Sequence, residues 1–110
     1  MKKFKLLPII FLFILFPCSS PVLAWTVKGA GGITCGEVLE ENKNSEIGTI
    51  VNRQWVLGFI SGVNYVEGKD IGKGIHPDAI WHSILKYCRD NPLNDLADAS
   101  MELYYILENK

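Results

Sequence analysis

Few side chains in this chain of 110 residues can do covalent or metal chemistry: three cysteines, two histidines, and scattered hydroxyls and carboxylates. His76 and His82 are six apart with Pro77 between them. Two histidines on one helical face need a spacing of four, so this pair does not read as a metal site. His76 is expected in a loop just ahead of a helix, and His82 on a solvated helix face. Ser61 sits between Ile60 and Gly62 in an apolar stretch, with no nucleophile-elbow pattern around it. Gly29-Ala30-Gly31-Gly32 lacks the Lys-Ser/Thr end of a phosphate loop. Neighbouring carboxylates such as Glu40 and Glu41 read as a solvated acidic face. A nucleophilic cysteine–histidine pair would need a reduced thiol, and export, argued next, favours oxidation. No catalytic residue, metal or cofactor is expected, which leaves a protein-binding role.

The N-terminus reads as a secretory signal. Lys2, Lys3 and Lys5 precede an apolar run over residues 6–16, and Val22-Leu23-Ala24 offers a cleavage site after Ala24. The apolar run is short for a membrane span. Cys18 follows Phe16-Pro17, a poor context for lipidation, so it is expected to leave with the signal, and no stable membrane anchor is expected. Residues 1–24 are thus a signal peptide and residues 25–110 the mature domain. Its expected location is the periplasm, with secretion the alternative.

The mature part carries eight basic and twelve acidic side chains, a net of about −4. Binding phosphate needs a basic face, so nucleic acid is excluded as a partner. A domain of this size buries only a marginal core, and a covalent staple would help it. Cys35 and Cys88 are the two cysteines left after cleavage, and an oxidising compartment permits one intramolecular pairing. That bond would close a 53-residue loop and contribute about 4 kcal/mol by chain entropy. Two free thiols, or a bond between chains, are the alternatives.

The elements that would position these residues are helical. Residues 25–33 read as a flexible strap, because ordering glycine costs the most backbone entropy. Thr34-Cys35-Gly36-Glu37 has the spacing of a capping box and starts a first helix that fades near Asn42-Lys43-Asn44. A second helix starts between residues 46 and 52 and runs to about Val66. Trp55, Val56, Leu57, Phe59, Ile60, Val63 and Tyr65 make it apolar on nearly every face, the mark of a buried helix. Gly58 and Gly62 would let another helix approach it closely. Residues 67–74 form a polar, glycine-rich loop. Pro77 opens a third helix, with Ile80, Trp81, Ile84, Leu85 and Cys88 inward and His82, Lys86 and Arg89 outward. Asn91-Pro92 ends it, and Leu93, Leu96, Ala97, Ser100, Leu103, Tyr104 and Leu107 mark a fourth. The expected fold is an all-α, four-helix, single-disulfide domain.

Three segments are distinctive together: Thr34-Cys35-Gly36-Glu37-Val38-Leu39, the run Trp55-Val56-Leu57-Gly58-Phe59-Ile60-Ser61-Gly62-Val63-Asn64-Tyr65, and Tyr87-Cys88-Arg89-Asp90-Asn91-Pro92. They resemble the HdeA/HdeB family of small periplasmic acid-stress chaperones across most of residues 34–103. The resemblance implies Cys35 and Cys88 as the disulfide, Trp55 and Tyr87 as core, a homodimer, and apolar client contacts freed when the dimer separates. The glycine-rich central helix and the loop over residues 68–74 depart from that pattern. Small secreted immunity proteins that neutralise toxins are similar as well, though they often carry more cysteines.

Three functions follow as expectations. An acid-responsive holdase would bind unfolded clients through apolar faces, with Trp55, Phe59, Tyr65, Trp81 and Tyr87 as core or client-binding candidates. Near pH 2 its carboxylates are neutral and the mature part carries about +10, enough self-repulsion to open a small domain. An immunity protein would instead present Glu40, Glu41, Glu46, Glu67 and Asp70 to one basic toxin. The third is an envelope protein without clients.

Overall fold

The computed structural model describes residues 26–110. The expected signal peptide, with Cys18, lies outside the described residues, as does Trp25. A short 3-10 turn at Gly29–Gly32 leads into four helices: α1 (Cys35–Asn44), α2 (Glu46–Glu67), α3 (Pro77–Asp90) and α4 (Leu96–Glu108). Among the described residues there is no strand, only one antiparallel backbone bridge between Thr34 and Asp95. The fold is the small all-α, four-helix domain that the sequence leads one to expect.

Each helix begins on a side chain that satisfies its free amide groups. At α1 the Thr34 hydroxyl accepts from the Glu37 amide at 3.2 Å, and the Glu37 carboxylate accepts from the Thr34 amide at 3.0 Å. Ser45 alone separates α1 from α2, closing the first helix and capping the second by accepting from the Gly48 amide. Gly68 ends α2 with φ 65°, a left-handed conformation that favours glycine. Pro77 opens α3, and His76 Nδ1 accepts from the Asp78 amide at 3.1 Å.

The start of α4 differs from expectation. Leu93 lies before the helix in a turn and is 92% exposed. The helix begins instead after Asp95, which forms a reciprocal capping box with Asp98. The two aspartates have the spacing of the Thr34–Glu37 pair but not its residue types, so the hydrophobic pattern of residues 93–107 hid this boundary.

The core is one contiguous cluster. Val38 of α1, Val56 of α2, Ile84 of α3 and Leu96 of α4 are all buried in it. Cys35 and Cys88 are joined, with their Cα atoms 4.7 Å apart, and both are fully buried. Around the bond, the Cys35 amide donates to the Asn94 carbonyl at 2.7 Å, that of Gly36 to Pro92 at 3.1 Å, and that of Leu96 to Ile33 at 3.0 Å. The first turns of α1 and α4 and the last turn of α3 therefore meet at one junction.

The strap expected to be flexible is a packed turn. Trp55 of α2 lies across it, with indole Nε1 donating to the Lys28 carbonyl at 2.9 Å. A Cβ at Gly31 would fall 2.1 Å from Trp55 Cζ2. The glycines that argue for disorder thus include one that the indole requires to have no side chain. Gly31→Ala is expected to lower stability by about 1–3 kcal/mol through overpacking and to shift Trp55 fluorescence. Gly32→Ala is the control, because a Cβ there meets nothing within 4 Å. Thermal unfolding of both variants checks this.

Candidate functional site

The expected site residues end up in different settings. Trp81 is buried, and its indole Nε1 donates to Asn42 Oδ1 at 3.0 Å, tying α3 to α1. Trp55 and Phe59 are half-buried and stacked on one another, with ring centroids 5.7 Å apart. Tyr87 is half-buried, and its hydroxyl accepts from Asn94 Nδ2 at 2.6 Å. Tyr65 is not a core residue: it is 89% exposed.

Tyr65 reflects a larger correction to α2. This helix does not bury all its faces. Asn52, Val56 and Ile60 form its buried line, and Ile47, Ile50, Val51 and Tyr65 stand in solvent on the opposite side. The other three helices are too few and too short to surround a helix of 22 residues. Gly58 and Gly62 lie on this outer side, and a Cβ at either would meet nothing within 4 Å. The close helix approach expected there is absent among the described residues.

The residues holding α2 in place include several that sequence reasoning missed. Asn52 is 1% exposed, and its Nδ2 donates to Glu41 Oε2 of α1 at 2.8 Å. Arg53 forms a hydrogen-bonded ion pair with Asp78 of α3. Just beyond the helix, Lys69 pairs with Glu108 of α4. Each of these tethers ends on a carboxylate. Other side-chain contacts from α2 do not: besides the Trp55 bond to Lys28, Thr49 Oγ1 donates to the Glu41 carbonyl at 3.1 Å, and Asn64 Oδ1 accepts from Tyr104 Oη at 3.2 Å and from the Ile71 amide at 3.0 Å. The three carboxylate tethers join positions 11, 25 and 39 residues apart, so no local spacing could reveal them.

The acidic set proposed for a basic toxin is not one surface. Glu41 is half-buried and engaged with Asn52, and Glu40 accepts from Asn44. Glu46 opens α2 while Glu67 closes it, about 32 Å away along the helix. Among the described residues no three His, Cys, Asp or Glu side chains gather as a metal site, and no helix is long and apolar enough to cross a membrane. Ser61 donates to the Leu57 carbonyl within its own helix. A groove of about 510 Å³ between α3 and α4 is lined by Lys86, Asp90, Glu102 and Ile106, among others. Its charges are of both signs, and the Ser83 hydroxyl along it donates to the Ala79 carbonyl of its own helix.

Two carboxyls, one of them a tether of α2, have lowered values. The hydrogen bond from Arg53, with the guanidinium charge, holds the Asp78 carboxyl below its usual range. The backbone hydrogen bond from Thr34 does the same for Glu37. A carboxyl whose folded value lies below its unfolded one stabilises the fold at neutral pH, and that contribution is lost as pH falls through the folded value. Asp78→Asn is therefore expected to melt lower than wild type at pH 7, with the gap narrowing as pH falls through the lowered folded value of Asp78. Melting curves across that fall in pH check it. Comparison with protein-family models, with curated proteins and with solved structures finds no match to this chain.

Proposed function

We propose that this chain is an exported, non-enzymatic periplasmic protein that acts as an acid-activated holdase. The observation that carries the reading is the chemistry of the tethers on α2. Glu41, Asp78 and Glu108 are the acceptors that attach α2, or Lys69 in the loop that follows it, to α1, α3 and α4. Near pH 2 carboxylates are neutral, and the charge-assisted part of these contacts is gone. The domain's eight Lys and Arg and two His then repel one another with little to offset them.

The rest of the fold suits a partial opening. Cys35 and Cys88 keep α1 and α3 joined whatever the pH. Swinging α2 away would expose Val56, Ile60, Phe59 and the faces they cover, Trp81 among them. Apolar surface presented on a chain that stays compact is what an unfolded client can adhere to. The disulfide opposes full unfolding by restricting the open state.

A second reading, a partner protein that binds one secreted toxin, has one observation in its favour. Ile47, Ile50, Val51 and Tyr65 are exposed while the domain is folded, so such a partner would need no opening. Tight one-to-one binding at neutral pH would favour that reading. Binding to many unrelated unfolded proteins, in acid alone, favours the holdase.

The test follows folding of the oxidised protein and its suppression of client aggregation as pH is stepped from about 7 to about 2, across the carboxylate range. Suppression should appear as α2 opens. The combined change Glu41→Gln, Asp78→Asn and Glu108→Gln weakens all three tethers and should move its onset to higher pH. A domain that stays folded in acid, or opens and protects nothing, overturns the proposal.

A further inference from the structure

We infer that the pocket between the C-terminal parts of α2 and α4 binds a free alkylated ammonium cation of choline's class. The inference concerns the folded domain near neutral pH and does not rest on the holdase reading. Two helix faces build the pocket. Phe59, Val63 and Glu67 recur every four residues on α2, and Met101, Tyr104, Tyr105 and Glu108 have the spacing of one face on α4. Together with Lys69 they line a space of about 310 Å³, at the lower end of the volumes of small-molecule sites.

The walls select the class of ligand. Three of the lining residues are aromatic, and two of these rings are held in place without any ligand. Phe59 stacks on Trp55 with centroids 5.7 Å apart. Tyr104 is 5% exposed, and its hydroxyl donates to Asn64 Oδ1. The third ring, Tyr105, is 59% exposed and stands outside the core cluster. The face of an aromatic ring attracts a cation through its quadrupole, and a quaternary ammonium suits a site made of several such faces. The Met101 thioether adds a polarisable contact for the alkyl groups. A hard metal ion would instead demand more oxygen ligands than these walls supply.

The charges fix the sign. Two carboxylates and one ammonium line the pocket, so negative charge is in excess. Lys69 and Glu108 pair with one another, whereas Glu67 has no ion-pair partner among the described residues. The field of the two carboxylates reaches the floor: burial pushes the Tyr104 hydroxyl up, and the charges of Glu108 and Glu67 add to that. An anion would meet the unpaired Glu67, and so would the phosphate beside a choline head group in a lipid. The ligand is therefore a free cation. The larger groove between α3 and α4 makes no such selection, since it has a single ring, Tyr87, and two charges of each sign.

Met1 and Met101 are the two methionines of the chain, so the Met101 methyl group is a clean NMR reporter of the pocket. Choline chloride is titrated into the oxidised protein near pH 7, against sodium chloride at equal ionic strength. It should shift that methyl signal saturably, with a Kd of about 1 mM or tighter. Dimethylbutanol, the neutral isostere of choline with carbon in place of nitrogen, should bind about tenfold more weakly or worse. Tyr105→Leu keeps apolar bulk but removes the exposed ring, and Glu67→Gln removes the unpaired charge. Both positions are exposed, so melting temperature should hold while each change weakens choline binding about threefold. Absence of a saturable shift, equal affinity for the alcohol, or choline binding indifferent to both substitutions would each overturn the inference.

Discussion

The bond between Cys35 and Cys88 fixes where the other elements can lie. It joins the first turn of α1 to the last turn of α3 with 4.7 Å between Cα atoms, and the segment after α3 then has one short path. The carbonyls of Pro92 and Asn94 on that path accept from the amides of Gly36 and Cys35. These are free donors of α1 that would otherwise be left unsatisfied beside a buried disulfide. The Leu96 amide returns the contact to Ile33, which sets α4 against the start of α1. A cross-link and three backbone hydrogen bonds thereby determine the mutual placement of α1, α3 and α4.

The longest helix, α2, is outside that junction. It is held by apolar contact along Val56 and Ile60 and by side-chain pairs spaced along its length. The domain therefore has a part secured by a covalent bond and backbone hydrogen bonds, and a part held by apolar contact and side-chain pairs. The same helix is two-sided in composition. Its inner line packs the core, and its outer line is free of charge.

Much of the fold was legible because it rests on local rules. Thr34 and Glu37 announce α1, Pro77 announces α3, and the spacing of Ile80, Trp81, Ile84 and Cys88 gives its inward side. The failures share a physical origin as well. Tyr65 reads from the sequence as a core or client-binding residue and is exposed, because periodicity reports how apolar a helix is and not how many neighbours will surround it. Gly31 suggested disorder because the indole that needs its bare Cα comes from Trp55, far along the chain. Glu41 looked like one more solvated acid, and its partner Asn52 like a residue at a vague helix boundary. They meet because Ser45 turns α1 directly into α2. Asp95 and Asp98 could have been read as a cap, since aspartate is among the favoured residues there, but the leucines around them drew the boundary earlier.

The pairing of Thr34 with Asp95 also has a consequence in time. A chain is made from its N-terminus, and the Asp95 carbonyl that lies over Cys35 is 60 residues away. At ordinary synthesis rates about 3–12 s separate the two. Over that interval α1 and α2, joined through Ser45 alone, can form as a local hairpin. Its first turn waits with open amide donors and a thiol whose partner has yet to be made. The last helix to be completed is thus the one that closes the fold.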